Sequence, residues 1–198
     1  IVGYKAKTIM AALGDLHHYG LKLSYVFNAH YQRRNATSLF AARQVVGDEP
    51  FIVTMADHMI SPAILRALLD SRVGDTLCVD RTAPAPPQIS DATKVCVDER
   101  GTVRRIGKHL KRWNAVDTGV FLFTPRIFTA IDAVRKAGNL DPNLSESVTW
   151  LIECGEGLRA CDVTGEFWMD VDTLDDLYYA EKVVREQETL WHLLPMTA

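Results

Sequence analysis

No stretch of this sequence carries the roughly 18 consecutive apolar residues of a membrane-spanning helix, and no basic, apolar leader opens it. An excess of positive charge is missing too: 22 Lys and Arg stand against 25 Asp and Glu, a formal charge of −3. Binding nucleic acid or an anionic membrane through electrostatics needs clustered excess Lys and Arg, so both classes are set aside. The four cysteines, Cys78, Cys96, Cys154 and Cys161, form no C-x-x-C or C-x-x-H pair, which removes the usual zinc sites. Each lies in or near an apolar run such as Thr76-Leu-Cys-Val79, so they are read as buried, reduced thiols in a cytoplasmic protein. Repeats, low-complexity tracts and an interdomain linker are absent. What remains, at 47% hydrophobic and 24% charged residues, is the composition of a globular domain, and 198 residues suit one domain. An initiator Met is also lacking. The chain opens on Ile1-Val2-Gly3-Tyr4, which reads as a strand already under way, and the expectation is that the true N-terminus lies upstream.

Short β runs alternate with helical stretches, the pattern of an α/β sheet covered by helices. A helix is expected over 6–19, a strand over Lys22–Phe27, and a helix from a cap at Asn35 or Thr37 through Val46. Phe51–Met55 is continuously apolar, as in a central buried strand. Ser61-Pro62 is a cap followed by proline at the first helical position, opening a helix to Asp70. Thr76–Val79 is the next strand, and Ala83–Pro87 a loop. Lys94–Val97 and Thr102–Ile106 form a hairpin around Gly101. Val116–Phe123 is a strand, Pro125 opens a helix to Lys136, and Ser145 caps a helix to Cys154. A strand at Leu158–Val163 and a final helix from Thr173 to Leu193 complete the chain.

Ligands of open α/β sheets bind beyond the carboxyl ends of strands, and two such ends carry unusual groups. Asp57 follows the buried Phe51–Met55 strand. Its carboxylate is read either as a ligand for a divalent metal or as a turn and cap residue. In Trp168-Met-Asp170-Val-Asp172-Thr173, Asp170 and Asp172 alternate onto one face. Thr173 caps the final helix, and Asp175 and Asp176 suit its first turn, which leaves Asp170 without a structural role. Further candidates are Lys108, a point charge for a phosphate, and Asp117, a hydroxyl acceptor just before Gly119. The locally basic run Arg104–Arg112 is either a solvated face or the phosphate side of a site.

Taken together these segments resemble the sugar-phosphate nucleotidyltransferases. Val2-Gly3-Tyr4, Met55-Ala-Asp57-His58, Ile106-Gly-Lys108 and Trp168-Met-Asp170-Val-Asp172-Thr173 carry the likeness. Asn35-Ala-Thr-Ser-Leu39, Asp91-Ala-Thr-Lys-Val95, Asn114-Ala-Val-Asp-Thr-Gly-Val-Phe121 and Gly165-Glu-Phe-Trp168 draw it toward the branch that joins CTP to inositol 1-phosphate. The resemblance runs over about residues 1–182. It implies a three-layer α/β/α, GT-A-like fold with a mixed central sheet: a single domain over 1–198 that lacks its N-terminal part. The family's glycine-rich triphosphate loop and its Pro-Lys are not in the sequence and are expected before Ile1, so the chain as it stands is expected to be incompetent for turnover. A second departure is Arg34 before Asn35, where the family tends to place glycine.

By that resemblance Asp57 and Asp170 hold Mg²⁺, with Asp172 a further candidate ligand. Lys108 binds the acceptor phosphate, Asp117 and Gly119 the acceptor, and Asn35 and Ser38, together with Asp57, the nucleotide. Lys94 is read either as facing the site or as a hairpin-surface lysine, and His58 either as a support to Asp57 or as a cap-region residue. The partners implied are CTP or another nucleoside triphosphate and a sugar or polyol phosphate, with no nucleic acid. Family members are often fused to a membrane-embedded phosphotransferase domain, and an oligomer is open. Two other readings stand beside this one: a nucleotidyltransferase for a hexose 1-phosphate or phosphocholine, and a non-catalytic nucleotide- or sugar-binding domain.

Overall fold

The computed structural model describes residues 1–14, 20–71, 74–82 and 92–186. The chain divides into two compact units, one made of Ile1–Phe51 and Phe123–Gly157, the other of Ile52–Leu122 and Leu158–Ala198.

The second unit is built on a mixed six-stranded sheet. Its strands are β1 (Phe51–Thr54), β3 (Thr76–Asp80), β4 (Lys94–Val97), β5 (Val103–Gly107), β6 (Ala115–Phe123) and β7 (Arg159–Asp162). They run in the order β5-β4-β6-β3-β7, with β1 also paired to β6. β3 and β7 are parallel, while β6 is antiparallel to both β3 and β4. β3 is buried at all five positions and β6 at seven of nine, which is why both read as almost unbroken apolar runs. Helix α4 (Pro62–Ser71) sets Ile64 and Leu68, both fully buried, against Cys78, Val120, Cys161 and Val163. The β4–β5 hairpin turns at Gly101, whose φ of 72° suits glycine; Asp98 Oδ1 accepts the Arg100 and Thr102 amides across the turn. A separate two-stranded ribbon joins β2 (His58–Ile60) to β8 (Trp168–Asp170), and α7 (Leu174–Glu186) follows it. Thr173 and Asp176 cap α7 reciprocally, as the sequence suggested for Thr173.

The first unit holds α1 (Ala6–Leu13), α2 (Asn35–Ala41), α3 (Arg43–Val46), α5 (Arg126–Lys136) and α6 (Leu144–Glu153). Phe128 is its aromatic centre: Phe51 stacks on it at 5.4 Å and Phe40 meets it edge-on at 6.3 Å. Val2 bridges Phe27, with its amide on the Val26 carbonyl and the Asn28 amide on its own.

Several expectations need correcting. Lys22–Phe27 is not a strand; only the isolated Val2–Phe27 bridge survives there. The helix expected through Val46 is broken at Ala42 into α2 and α3, and neither Asn35 nor Thr37 caps it, because Arg34 occupies that position. Asn143, not Ser145, caps α6: its side chain accepts the Glu146 amide while Glu146 accepts the Asn143 amide, each at 2.8 Å. β1 alternates rather than being buried throughout, with Ile52 36% exposed, since its pairing among the described residues is with β6. The end of the first expected helix, the Ala83–Pro87 loop and the tail of the last helix fall outside the described residues.

Candidate functional site

The β2–β8 ribbon brings the candidate carboxylates together. Its register sets His58 opposite Asp170, Met59 opposite Met169 and Ile60 opposite Trp168, and the Val171 amide closes the end on the Asp57 carbonyl at 2.9 Å. Asp57 sits in the turn between β1 and β2, beyond a strand end, where α/β sheets keep their ligand sites. His58 Nδ1 lies 2.7 Å from Asp170 Oδ1 and 3.1 Å from Asp57 Oδ1. The donor atoms of Asp57, His58 and Asp170 all fall within 4.8 Å of one another, a spacing and chemistry that suit a divalent cation.

The histidine is the enclosed member of this trio. Its side chain is 12% exposed, against 57% for Asp57 and 41% for Asp170. One face of the ring stacks on Trp168, with centroids 6.4 Å apart and planes 16° from parallel. Trp168 is fixed in turn by its indole N–H, which donates to Asp80 Oδ2 at 3.0 Å, and the buried Asp80 also accepts the Thr82 amide and hydroxyl through Oδ1. Beneath the ring lies Gly119. A Cβ there would come within 2.5 Å of His58 Cδ2, and its φ is 75°, so the position suits glycine on both counts.

Asp117 stands two residues before Gly119 and accepts its amide at 2.7 Å. Burial pushes the Asp117 carboxyl up to about 6, the Gly119 amide and His58 hold it back, and Asp170 adds to the rise. The sheet register places Gly107, Lys94, Val116 and Asp80 side by side across β5, β4, β6 and β3. Lys94, Lys108 and Asp117 therefore share one end of the sheet with Asp80. Lys94 Nζ donates to the Lys108 carbonyl at 3.0 Å, and Lys108 itself is exposed in the turn after β5.

The remaining candidates are placed otherwise. Asp172 lies outside the trio, exposed between β8 and α7. Asn35 and Ser38 belong to the first unit and hold structural bonds there: Asn35 Oδ1 accepts the Leu144 amide at 2.8 Å, and Ser38 Oγ accepts from Asn28 Nδ2 at 3.0 Å. In the basic run, Arg104 pairs with Asp98 at 2.7 Å. Sequence reasoning missed β2 altogether, and with it the bridging position of His58 and the Asp80–Trp168 bond. The alternation of Trp168-Met-Asp170 was visible, but a three-residue strand announces no partner.

The family model described as Nucleotidyl transferase matches residues 1–187. A bifunctional IPC transferase and DIPP synthase of Rubrobacter xylanophilus is 33% identical over 186 residues, 93% of this chain and 40% of that protein. One of the same name from Aquifex aeolicus is 35% identical over 157 residues, 78% of this chain and 33% of its length. A glucose-1-phosphate thymidylyltransferase of Streptomyces griseus is 26% identical over 193 residues, 94% of this chain and 52% of that one. The chain thus spans well under half of the first two relatives. Among solved structures, the inositol-1-phosphate CTP transferase from T. maritima superposes with a TM-score of 0.77 at 22% identity, covering 96% of this chain and 74% of that one. A UDP-glucose pyrophosphorylase complexed with UDP-glucose gives 0.71 at 16%, over 91% and 73%. At these identities the superpositions establish the fold, an α/β nucleotidyltransferase architecture with a mixed sheet. No helix among the described residues is long and apolar enough to cross a membrane.

Proposed function

The chain belongs to the nucleotidyl transferase family, and from that membership we propose that it serves to transfer CMP from CTP to inositol 1-phosphate, giving CDP-inositol and pyrophosphate. The observation that carries the choice of substrates is the likeness, at 32–35% identity, to several relatives named IPC transferase; a solved neighbour titled an inositol-1-phosphate CTP transferase agrees with it.

In this reaction a phosphate oxygen of inositol 1-phosphate attacks the α-phosphorus of CTP. The bond from that phosphorus to the bridging oxygen of the β-phosphate breaks, and pyrophosphate leaves with the electron pair. No protein nucleophile is needed, so the protein's part is positioning and charge neutralisation. Asp57 and Asp170 would hold the divalent ion, Mg²⁺ in this reading, with Asp172 within the same segment as a further candidate. That ion would supply charge neutralisation at the phosphates. Lys108 is assigned to the acceptor phosphate and Asp117 to the inositol hydroxyls. Gly119 keeps the space around His58 open, and Lys94 steadies the Lys108 turn through its carbonyl. The assignment of Asn35 and Ser38 to the nucleotide rests on the resemblance alone.

Replacing either Asp57 or Asp170 by Asn removes a ligand charge and is expected to cost at least ~10²-fold in turnover of the full-length protein. Pyrophosphate release across a panel of nucleoside triphosphates, each with inositol 1-phosphate and with glucose 1-phosphate, tests the substrates. Release with CTP and inositol 1-phosphate is the expected result. Turnover confined to a hexose 1-phosphate with another nucleotide would replace this reading with the thymidylyl- or uridylyltransferase one.

A further inference from the structure

We propose that His58 is a positioning residue that holds the Asp57 and Asp170 carboxylates in a cation-accepting arrangement while staying off the metal itself. The inference rests on the metal reading given above and deepens it. Two carboxylates side by side repel each other and, in an open turn, would splay apart. Here both turn an oxygen to one nitrogen, at 2.7 and 3.1 Å. Ionised carboxylates only accept hydrogen bonds, so the shared Nδ1 carries the proton; it hydrogen-bonds Asp57 Oδ1 and lies within ion-pair distance of Asp170 Oδ1. Each carboxylate keeps a second oxygen, and oxygen is the donor that a hard divalent cation prefers over imidazole nitrogen.

The ring is built to stay where it is. Trp168 covers one face, Gly119 leaves just enough room at the Cδ2–Nε2 edge, and the β2–β8 register fixes the His58 backbone opposite that of Asp170. The support extends outward, because the indole N–H of Trp168 is tied to the buried Asp80. A chain of contacts therefore runs from the end of β3 through an indole and an imidazole to two carboxylates that come from distant parts of the sequence. A histidine present only to fill space would not need its nitrogen aimed at both acids.

The test is an electron paramagnetic resonance titration of the full-length protein with Mn²⁺ alone, comparing wild type with His58→Ala and His58→Asn. Loss of an outer hydrogen-bond partner typically costs about 10–100-fold in metal affinity, and His58→Ala is expected to lose that much. The Asn side-chain amide can still donate, so His58→Asn is expected to recover to within about five-fold of wild type, with circular dichroism verifying that both variants fold. Electron spin echo spectra of the wild-type complex should show no imidazole nitrogen coupling. Affinity in His58→Ala within about two-fold of wild type would overturn the proposal. So would an Asn variant no better than Ala, which would leave only ring packing, and so would a nitrogen coupling that disappears in His58→Ala, which would make the histidine a ligand. Should His58→Ala fail to fold, the comparison of His58→Asn with wild type and the nitrogen coupling still decide the matter. Wild type that binds no Mn²⁺ would sink the metal reading together with this one. Failure of the CTP and inositol 1-phosphate assay alone would leave the Mn²⁺ result standing.

Discussion

Asp117 is a residue whose environment changes its chemistry. Its carboxyl titrates near 6 in the fold and near 3.8 in the unfolded chain, chiefly through burial, with Asp170 adding to the rise and His58 and the Gly119 amide opposing it. Between those values the folded state holds the extra proton, so this group's contribution is complete below pH ~4 and is lost as pH rises through ~6. Asp117→Asn keeps an acceptor for the Gly119 amide and removes that slope. In metal-free buffer, denaturant unfolding should show the variant gaining of order 1–3 kcal/mol on wild type between pH 4 and 7. Asp98, Asp162 and Asp176, all held low, work in the opposite sense in both proteins and cancel in the comparison. Gly119→Ala meets both a positive φ and the His58 ring, and a loss of about 1–3 kcal/mol is expected, with weakened Mn²⁺ binding. Asp170 stood out in the sequence because no local structural role accounted for it, whereas Asp57 also suited a turn or cap and Lys108 a solvated basic face. The Asp80–Trp168 bond did not stand out, since nothing in either segment encodes a contact across that distance in the chain.

Elements were legible where period and punctuation agree. Pro62 after Ser61 opened α4, Gly101 turned the hairpin, and the apolar run of β6 betrayed a strand. They were illegible where tertiary pairing decides. Lys22–Phe27 alternates like a strand yet keeps one bridge, and β2 and β8 are too short to show a period at all. The misplaced cap of α6 has a local cause, because Asn143 and Ser145 are both good caps and the Glu146 partner selects Asn143. Asn143→Ala should therefore destabilise the protein by about 0.5–2 kcal/mol in urea unfolding, whereas Ser145→Ala should be near neutral. Leu68→Ala, at the fully buried face of α4, should cost about 2–5 kcal/mol.

Across the molecule, the sheet of the second unit gathers what chemistry the chain displays at one end, while the cap and turn residues that looked equally polar in the sequence are absorbed into structure. The ribbon that completes the site has a consequence for how the protein holds together. Its two strands are three residues each and come from segments about a hundred residues apart in the sequence. An ion held by Asp57 and Asp170 would act as a clasp between those segments, present only in the folded chain. Bound ligand stabilises by mass action, about 2.7 kcal/mol at a hundred times its dissociation constant, so thermal unfolding should shift upward with added Mn²⁺ and cease to do so in Asp170→Asn. The same geometry would set an order of events at the ribosome: Asp57 emerges early and waits, and the nascent chain could grip a cation only once β8 has been made and has found β2.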